Sequence, residues 1–181
     1  MLITGTVGVG KTTTAELVGD LLVDAGVPHA VLDLDGLCRA WPAPDDDPFQ
    51  HRLLLANLQA VTLNLRAAGA RHLVLAGVAE TSGERQAIQE ALRMPLRVCR
   101  LTADLDILHT RLRHRHESDH DLASLPWHLT RAEELDLVLE QAALADATID
   151  TTRLSPAAVA AAVLDTTGWT RHASGQNAVP S

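Results

Sequence analysis

Short apolar runs alternate along the chain with longer segments in which apolar residues recur at helical spacing. Leu2-Ile3-Thr4 predicts a first buried strand. A helix follows from about Thr12, with Val18, Leu21, Leu22 and Ala25 on one face, and Gly26 and Pro28 mark its end. Residues 29–35 predict a second strand. Residues 36–47 are irregular, with Trp41-Pro42-Ala43-Pro44 running into Asp45, Asp46 and Asp47. A long helix is expected over about 48–68, with Leu54, Leu58, Val61 and Leu65 facing inward and Gly69 as its stop. Residues 72–76 predict a third strand and residues 82–92 a short helix. Residues 96–101 predict a fourth strand, whose alternation suggests one wetter face. Thr102 or Asp104 then caps a helix carrying Leu105, Leu108 and Leu112. A polar stretch rich in His and Arg runs to about Leu129, and a further helix places Leu135, Val138, Leu139 and Ala142 in phase. Residues 147–150 predict a fifth strand. Ser155-Pro156 opens the last helix as a cap followed by proline at the first helical position.

Five strands, each followed by helix, imply an α/β fold: a parallel sheet with helices on both faces. Ligands in such sheets sit at the carboxyl ends of the strands. There is no internal repeat. The pattern is that of one domain over residues 1–167, with a tail from Gly168 onward expected to be disordered.

Composition narrows the function. The chain has 181 residues, the size of one domain, with 46% hydrophobic and 21% charged residues. Its net charge of −8 argues against a general nucleic-acid binder, which needs a basic face. Tyrosine is absent and there is one phenylalanine, so the core must rest on Leu, Val and Ala, and stacking platforms for single-stranded nucleic acid are missing. Cys38 and Cys99 lack metal-ligand spacing and read as free thiols, Cys99 within a strand core. No apolar run reaches membrane-spanning length, and Gly5 interrupts the N-terminal run too early for a signal peptide. A cytoplasmic location is expected. Fourteen arginines accompany a single lysine, Lys11, which makes that lysine's position informative.

Lys11 stands in Gly5-Thr6-Val7-Gly8-Val9-Gly10-Lys11-Thr12, a full G-x-x-x-x-G-K-[ST] match between a strand and an amphipathic helix. Glycines let the backbone amides turn inward around an anion, and the helix N-terminus adds its dipole and free N–H groups. Gly5, Gly8, Val9, Gly10, Lys11, Thr12 and Thr13 are the candidate cradle for the phosphates of ATP. Lys11 reaches the β- and γ-phosphates, and the Thr12 hydroxyl offers Mg²⁺ a hard oxygen ligand. Asp33 and Asp35 close the second strand, and a side-chain period of two points them the same way. Two carboxylates there suit two tasks: holding the metal shell, and accepting or orienting a hydroxyl proton from a phosphoryl acceptor.

With this P-loop, the D-x-D at the second strand and an arginine-bearing segment before the fifth strand, the chain resembles the P-loop small-molecule kinases over about residues 1–165. That group includes shikimate, gluconate and adenylylsulfate kinases and chloramphenicol phosphotransferase, with the nucleoside monophosphate kinase architecture. The resemblance implies that Asp33 assists Mg²⁺ and that Asp35 binds the acceptor hydroxyl, as base where one is needed. It implies a lid over about 113–130 that brings arginine to the phosphates. Arg111 and Arg115, four apart on one helical face, are the first candidates and Arg113 the next. Arg131 follows the lid at a substrate or phosphate position. Arg39, Trp41 and Arg52 fall in the acceptor-binding region. Glu80 faces the magnesium or acceptor, or caps the helix behind it. Thr151-Thr152-Arg153 lies where adenine rests.

Two departures leave the acceptor open. Ala76-Gly77-Val78 replaces the glycine triplet of shikimate kinases, and Leu32-Asp33-Leu34-Asp35-Gly36 is not the adenylylsulfate kinase pattern. The acidic residues 45–47 argue against a strongly anionic acceptor. His114, His116 and His120, with Glu117 and Asp119, fit no standard zinc spacing and read as a solvated loop. The main alternative to a kinase is a switch-type ATPase, and a non-catalytic nucleotide-binding module is the third. Against a switch, Leu75-Ala76-Gly77 ends the third strand without an acid, and no N-K-x-D guanine motif is present. Oligomeric state is not legible.

Overall fold

A computed structural model describes residues 1–170. Five strands, β1 (Leu2–Thr4), β2 (His29–Asp33), β3 (His72–Ala76), β4 (Val98–Thr102) and β5 (Ala147–Asp150), form one parallel sheet in the order β2-β3-β1-β4-β5. The helices are α1 (Lys11–Asp24), α2 (His51–Ala67), α3 (Ser82–Leu92), α4 (Leu105–Ser118), α5 (Leu125–Ala142) and α6 (Pro156–Asp165).

The central strands β1, β3 and β4 are mostly apolar because they are covered on both faces, whereas the edge strand β5 alternates half-buried and exposed residues. Alternate residues divide between two cores. Ile3, Val74, Cys99 and Leu101 pack with Val18 and Leu22 of α1, Leu108 of α4 and Val159 and Val163 of α6. Leu2, Leu73, Leu75 and Val98 pack with Leu58 of α2 and Ile88 and Leu92 of α3. No aromatic side chain is among the buried core residues. Local capping follows the sequence: Ser155 accepts from the Ala158 amide at α6, and Thr81 accepts from the Glu84 amide at α3.

Four expectations need correction. The fourth strand has no wet face. Arg100 is 6% exposed, and its guanidinium donates to Asp136 and Glu140 of α5, which covers it. The polar stretch before the fifth strand is mostly helical, leaving residues 119–124 between α4 and α5. Its period was hidden because His116 takes the inward position after Leu108 and Leu112, each four residues apart. His116 is therefore not solvated: it is 4% exposed, with Nδ1 2.6 Å from the Asp121 carbonyl and its ring 4.8 Å from that of His128. The tail does not begin at Gly168, because Trp169 stacks on His72 with ring centroids 4.4 Å apart. Residues 171–181 lie outside the described residues.

Among the described residues no helix is long and apolar enough to cross a membrane.

Candidate active site

The β1–α1 connection wraps tightly because its glycines occupy conformations other residues avoid. Gly10 has φ 102° and directly precedes Lys11, the first residue of α1. Gly8 has φ 81°, and a Cβ there would lie 2.8 Å from Leu112 of α4, so only glycine lets that helix approach the loop. Thr6 is fully buried and donates its hydroxyl to the Ala132 carbonyl of α5 at 2.5 Å. Arg111 of α4 donates to the Val9 carbonyl at 3.4 Å, to the Thr151 hydroxyl at 3.0 Å and to the Thr151 carbonyl at 3.0 Å. The loop is thus held from α1, α4, α5 and the end of β5 at once.

Lys11 projects into this arrangement with Nζ donating to the carbonyls of Gly5 at 3.0 Å and Thr6 at 3.1 Å. Burial lowers its pKa to about 8; Asp35 and then Asp33 oppose the fall, and Arg115 adds to it. An ammonium in this state gains from an arriving anion. Nucleotide binding is expected to raise the Lys11 pKa again. Below about pH 8 Lys11 is already protonated, and binding should take up no proton there. Above that pH, uptake approaches one proton and affinity should fall roughly tenfold per pH unit. Calorimetry at about pH 7 and about pH 9, in buffers of different ionisation enthalpy, measures both quantities.

The two aspartates do not meet by strand alternation. The strand ends at Asp33, and Leu34–Leu37 form a single 3₁₀ turn that Asp33 caps by accepting from the Asp35 amide at 3.0 Å. Asp33 Oδ2 also accepts the Thr12 hydroxyl at 2.7 Å. Thr12 and Asp33 thereby present adjoining hard oxygens beside the loop, a donor set that fits Mg²⁺.

A cavity of about 630 Å³ opens over the loop, walled on one side by Gly8, Gly10, Lys11, Thr12 and Thr13. Asp35, Arg39, Arg111 and Arg115 complete its polar lining. Val78, Trp127, His128 and Leu135 supply an apolar and aromatic wall. A smaller cavity of about 330 Å³ adjoins it, lined by Val9, Arg111, Thr151, Leu154, Pro156 and Val159 among others. The larger cavity is the more polar, and Arg111 lines both.

Several expected residues stand elsewhere. Arg52 is exposed and forms ion pairs with Asp46 at 2.9 Å and Asp47 at 3.5 Å, so its charge is spent on the acidic segment and not in the cleft. Arg131 pairs with Glu80, joining α5 to the loop after β3, and neither lines the cavities described above. Glu80 does not cap α3; Thr81 does. Arg113 is exposed on the outer side of α4, as its offset from Arg111 and Arg115 requires, and Arg153 is exposed outside the lining of the smaller cavity. Trp41 is 93% exposed and lines neither cavity. Trp127, His128 and Thr6 were not among the sequence candidates. The legible hint was Trp127 itself, a large aromatic one residue after a helix-starting proline in a chain with few aromatics.

No curated protein matches the sequence. The fold does match solved structures. Shikimate kinase from Acinetobacter baumannii in complex with shikimate is 20% identical, with a TM-score of 0.58 over 92% of this chain and 90% of that one. The tunicamycin resistance protein of Deinococcus radiodurans is 21% identical, with a TM-score of 0.64 over 93% and 94%. The APS kinase of Mycobacterium tuberculosis in complex with AMPPNP and APS is 22% identical, with a TM-score of 0.58 over 91% and 94%. Identities this low speak for the fold alone. The family model described as an AAA domain matches residues 1–136. With its P-loop between β1 and α1 and its five-stranded parallel sheet, the chain belongs to the AAA domain family and carries the fold of the P-loop small-molecule kinases.

Proposed function

We propose that this chain is an ATP- and Mg²⁺-dependent phosphotransferase that moves the γ-phosphate to a hydroxyl of a small molecule. One observation carries the reading: Lys11, Arg111, Arg115 and the carboxylate-bearing Asp35 line the same cavity. A nucleotide-binding module needs the cations; a phosphoryl acceptor gives Asp35 its use.

The nucleotide base enters the smaller cavity beside Thr151 and Leu154, and the phosphates follow the amides of Gly8 and Gly10 toward Lys11. Thr12 and Asp33 would hold Mg²⁺, whose charge would neutralise the phosphate oxygens. Lys11, Arg115 and Arg111 offset the charge on the transferring group. Asp35 orients the acceptor hydroxyl and takes its proton. The acceptor oxygen forms the new bond to the γ-phosphorus as the bond to the β-phosphate bridging oxygen breaks, leaving ADP. The turn capped by Asp33 keeps Asp35 at the cavity wall.

The test is ADP release by the purified chain, alone and then with a panel of hydroxyl metabolites and antibiotics. The expected result is acceptor-dependent ADP with a phosphorylated product. Slow hydrolysis at one rate, whatever is added, would contradict the kinase and favour a switch-type ATPase.

A further inference from the structure

The large cavity carries an aromatic wall beside its cations. The chain has four Trp and Phe side chains, and it withholds three of them from the core. Trp41 is 93% exposed, Phe49 80% and Trp127 60%. Trp127 lines the cavity; Trp41 and Phe49 lie on the segment that continues from Arg39, another lining residue.

Trp127 is also pre-set. Its ring meets His128 edge-on, with centroids 4.9 Å apart and an interplanar angle of 85°. His128 is held in turn by the Ser124 carbonyl, 3.0 Å from its Nδ1, and by the ring of buried His116. A row of three rings thus runs from buried His116 to Trp127 at the cavity wall, which Val78 and Leu135 also line. A ring fixed in this way offers stacking area at little entropic cost on binding.

Few cations are left for an acceptor. Arg52 and Arg131 stand outside the cavity lining and are paired, Arg52 with Asp46 and Asp47 and Arg131 with Glu80. Arg39 makes no ion pair among the described residues and is the one lining arginine outside α4. Arg111 and Arg115 belong to α4 over the phosphate loop. With Lys11, Arg111 and Arg115 engaged by the triphosphate, Arg39 alone is left, and a polyanionic acceptor needs several unpaired cations or bidentate arginines.

We propose that the acceptor is a neutral or singly anionic alcohol bearing a flat ring, and that Trp127 is the residue that selects it by stacking. This rests on the phosphotransferase reading for the word acceptor; the ring subsite stands on Trp127 and its neighbours.

Binding and turnover separate the two. The probe is naphthylmethanol, a neutral ring-bearing alcohol, with gluconate and shikimate as ring-free or carboxylate-bearing comparators. Saturation-transfer NMR with Mg²⁺ and a non-hydrolysable ATP analogue measures binding. Saturable binding of naphthylmethanol is expected, and Trp127→Ala should weaken it roughly tenfold. Trp127→Phe should recover most of the loss, and gluconate and shikimate should bind more weakly than the naphthyl alcohol. The exposed position of Trp127 makes misfolding of the variant improbable as an explanation, and nucleotide affinity serves as the check. No saturable binding, equal binding by Trp127→Ala, or tighter binding of either hydroxy acid overturns the proposal. If Trp127-dependent binding holds while no alcohol in the panel elicits ADP, the phosphotransferase reading falls and the ring subsite stands.

Discussion

Lys11→Ala is expected to lower nucleotide-dependent turnover by at least about a hundredfold, the scale on which removing one charge-stabilising donor acts in such sites. The reason lies in what surrounds Lys11. Among the described residues its Nζ has only the carbonyls of Gly5 and Thr6 as hydrogen-bond partners, and burial has already lowered its pKa to about 8. The group is held in an unfavourable setting that a triphosphate relieves. The variant should therefore lose nucleotide affinity without losing fold stability, because alanine removes a buried charge that makes no ion pair among the described residues and whose burial outweighs the pull of Asp35 and Asp33. Thermal melting of the free variant together with its turnover checks this. A lowered melting temperature equal to that of a core truncation would assign Lys11 to structure.

Asp35→Asn is expected to cut phosphoryl transfer by about a hundredfold to ten-thousandfold, the usual contribution of a positioned proton acceptor. Nucleotide affinity should stay within about threefold, since removing a negative charge beside phosphates does not hinder their binding. Asparagine keeps the size and can still donate to a hydroxyl, but it cannot take the proton. The backbone cap survives because Asp33 accepts from the Asp35 amide, not from its side chain. Steady-state kinetics with a productive acceptor and a separate nucleotide titration measure the two effects. Unchanged transfer would remove Asp35 from the role of base.

The phosphate loop was legible because its physics is contiguous. Gly5, Gly8, Gly10, Lys11 and Thr12 act through backbone conformation over eight residues, and no distant partner decides their shape. The sheet was legible for a similar reason: strands covered on both faces are apolar throughout, as Leu73, Val74, Leu75 and Ala76 are. Long-range pairing was not legible. Nothing near Arg131 in sequence announces Glu80, and nothing near Arg100 announces Asp136 and Glu140, yet these pairs decide which arginines remain for a ligand. Arg52 is the instructive case. Its partners Asp46 and Asp47 are only five and six residues away, but the irregular segment between them gives no periodic signal to read. Helix α4 was underestimated because a buried histidine occupied an apolar phase position, which composition alone reads as surface. Strand alternation does not bring the aspartate pair together; a 3₁₀ turn carries Asp35 to the cavity, and a turn one residue past a strand end leaves no periodic signal.

These points share one dependency. The cations, the carboxylates and the aromatic wall have a catalytic use only when a triphosphate lies in the loop with its metal. Isothermal titration of the folded chain with ATP, with and without Mg²⁺, addresses that directly. Saturable ATP binding that tightens when Mg²⁺ is present, and that vanishes in Lys11→Ala, is the predicted result. A well-folded chain that takes up no ATP, or takes it up equally with and without Mg²⁺, would contradict the account.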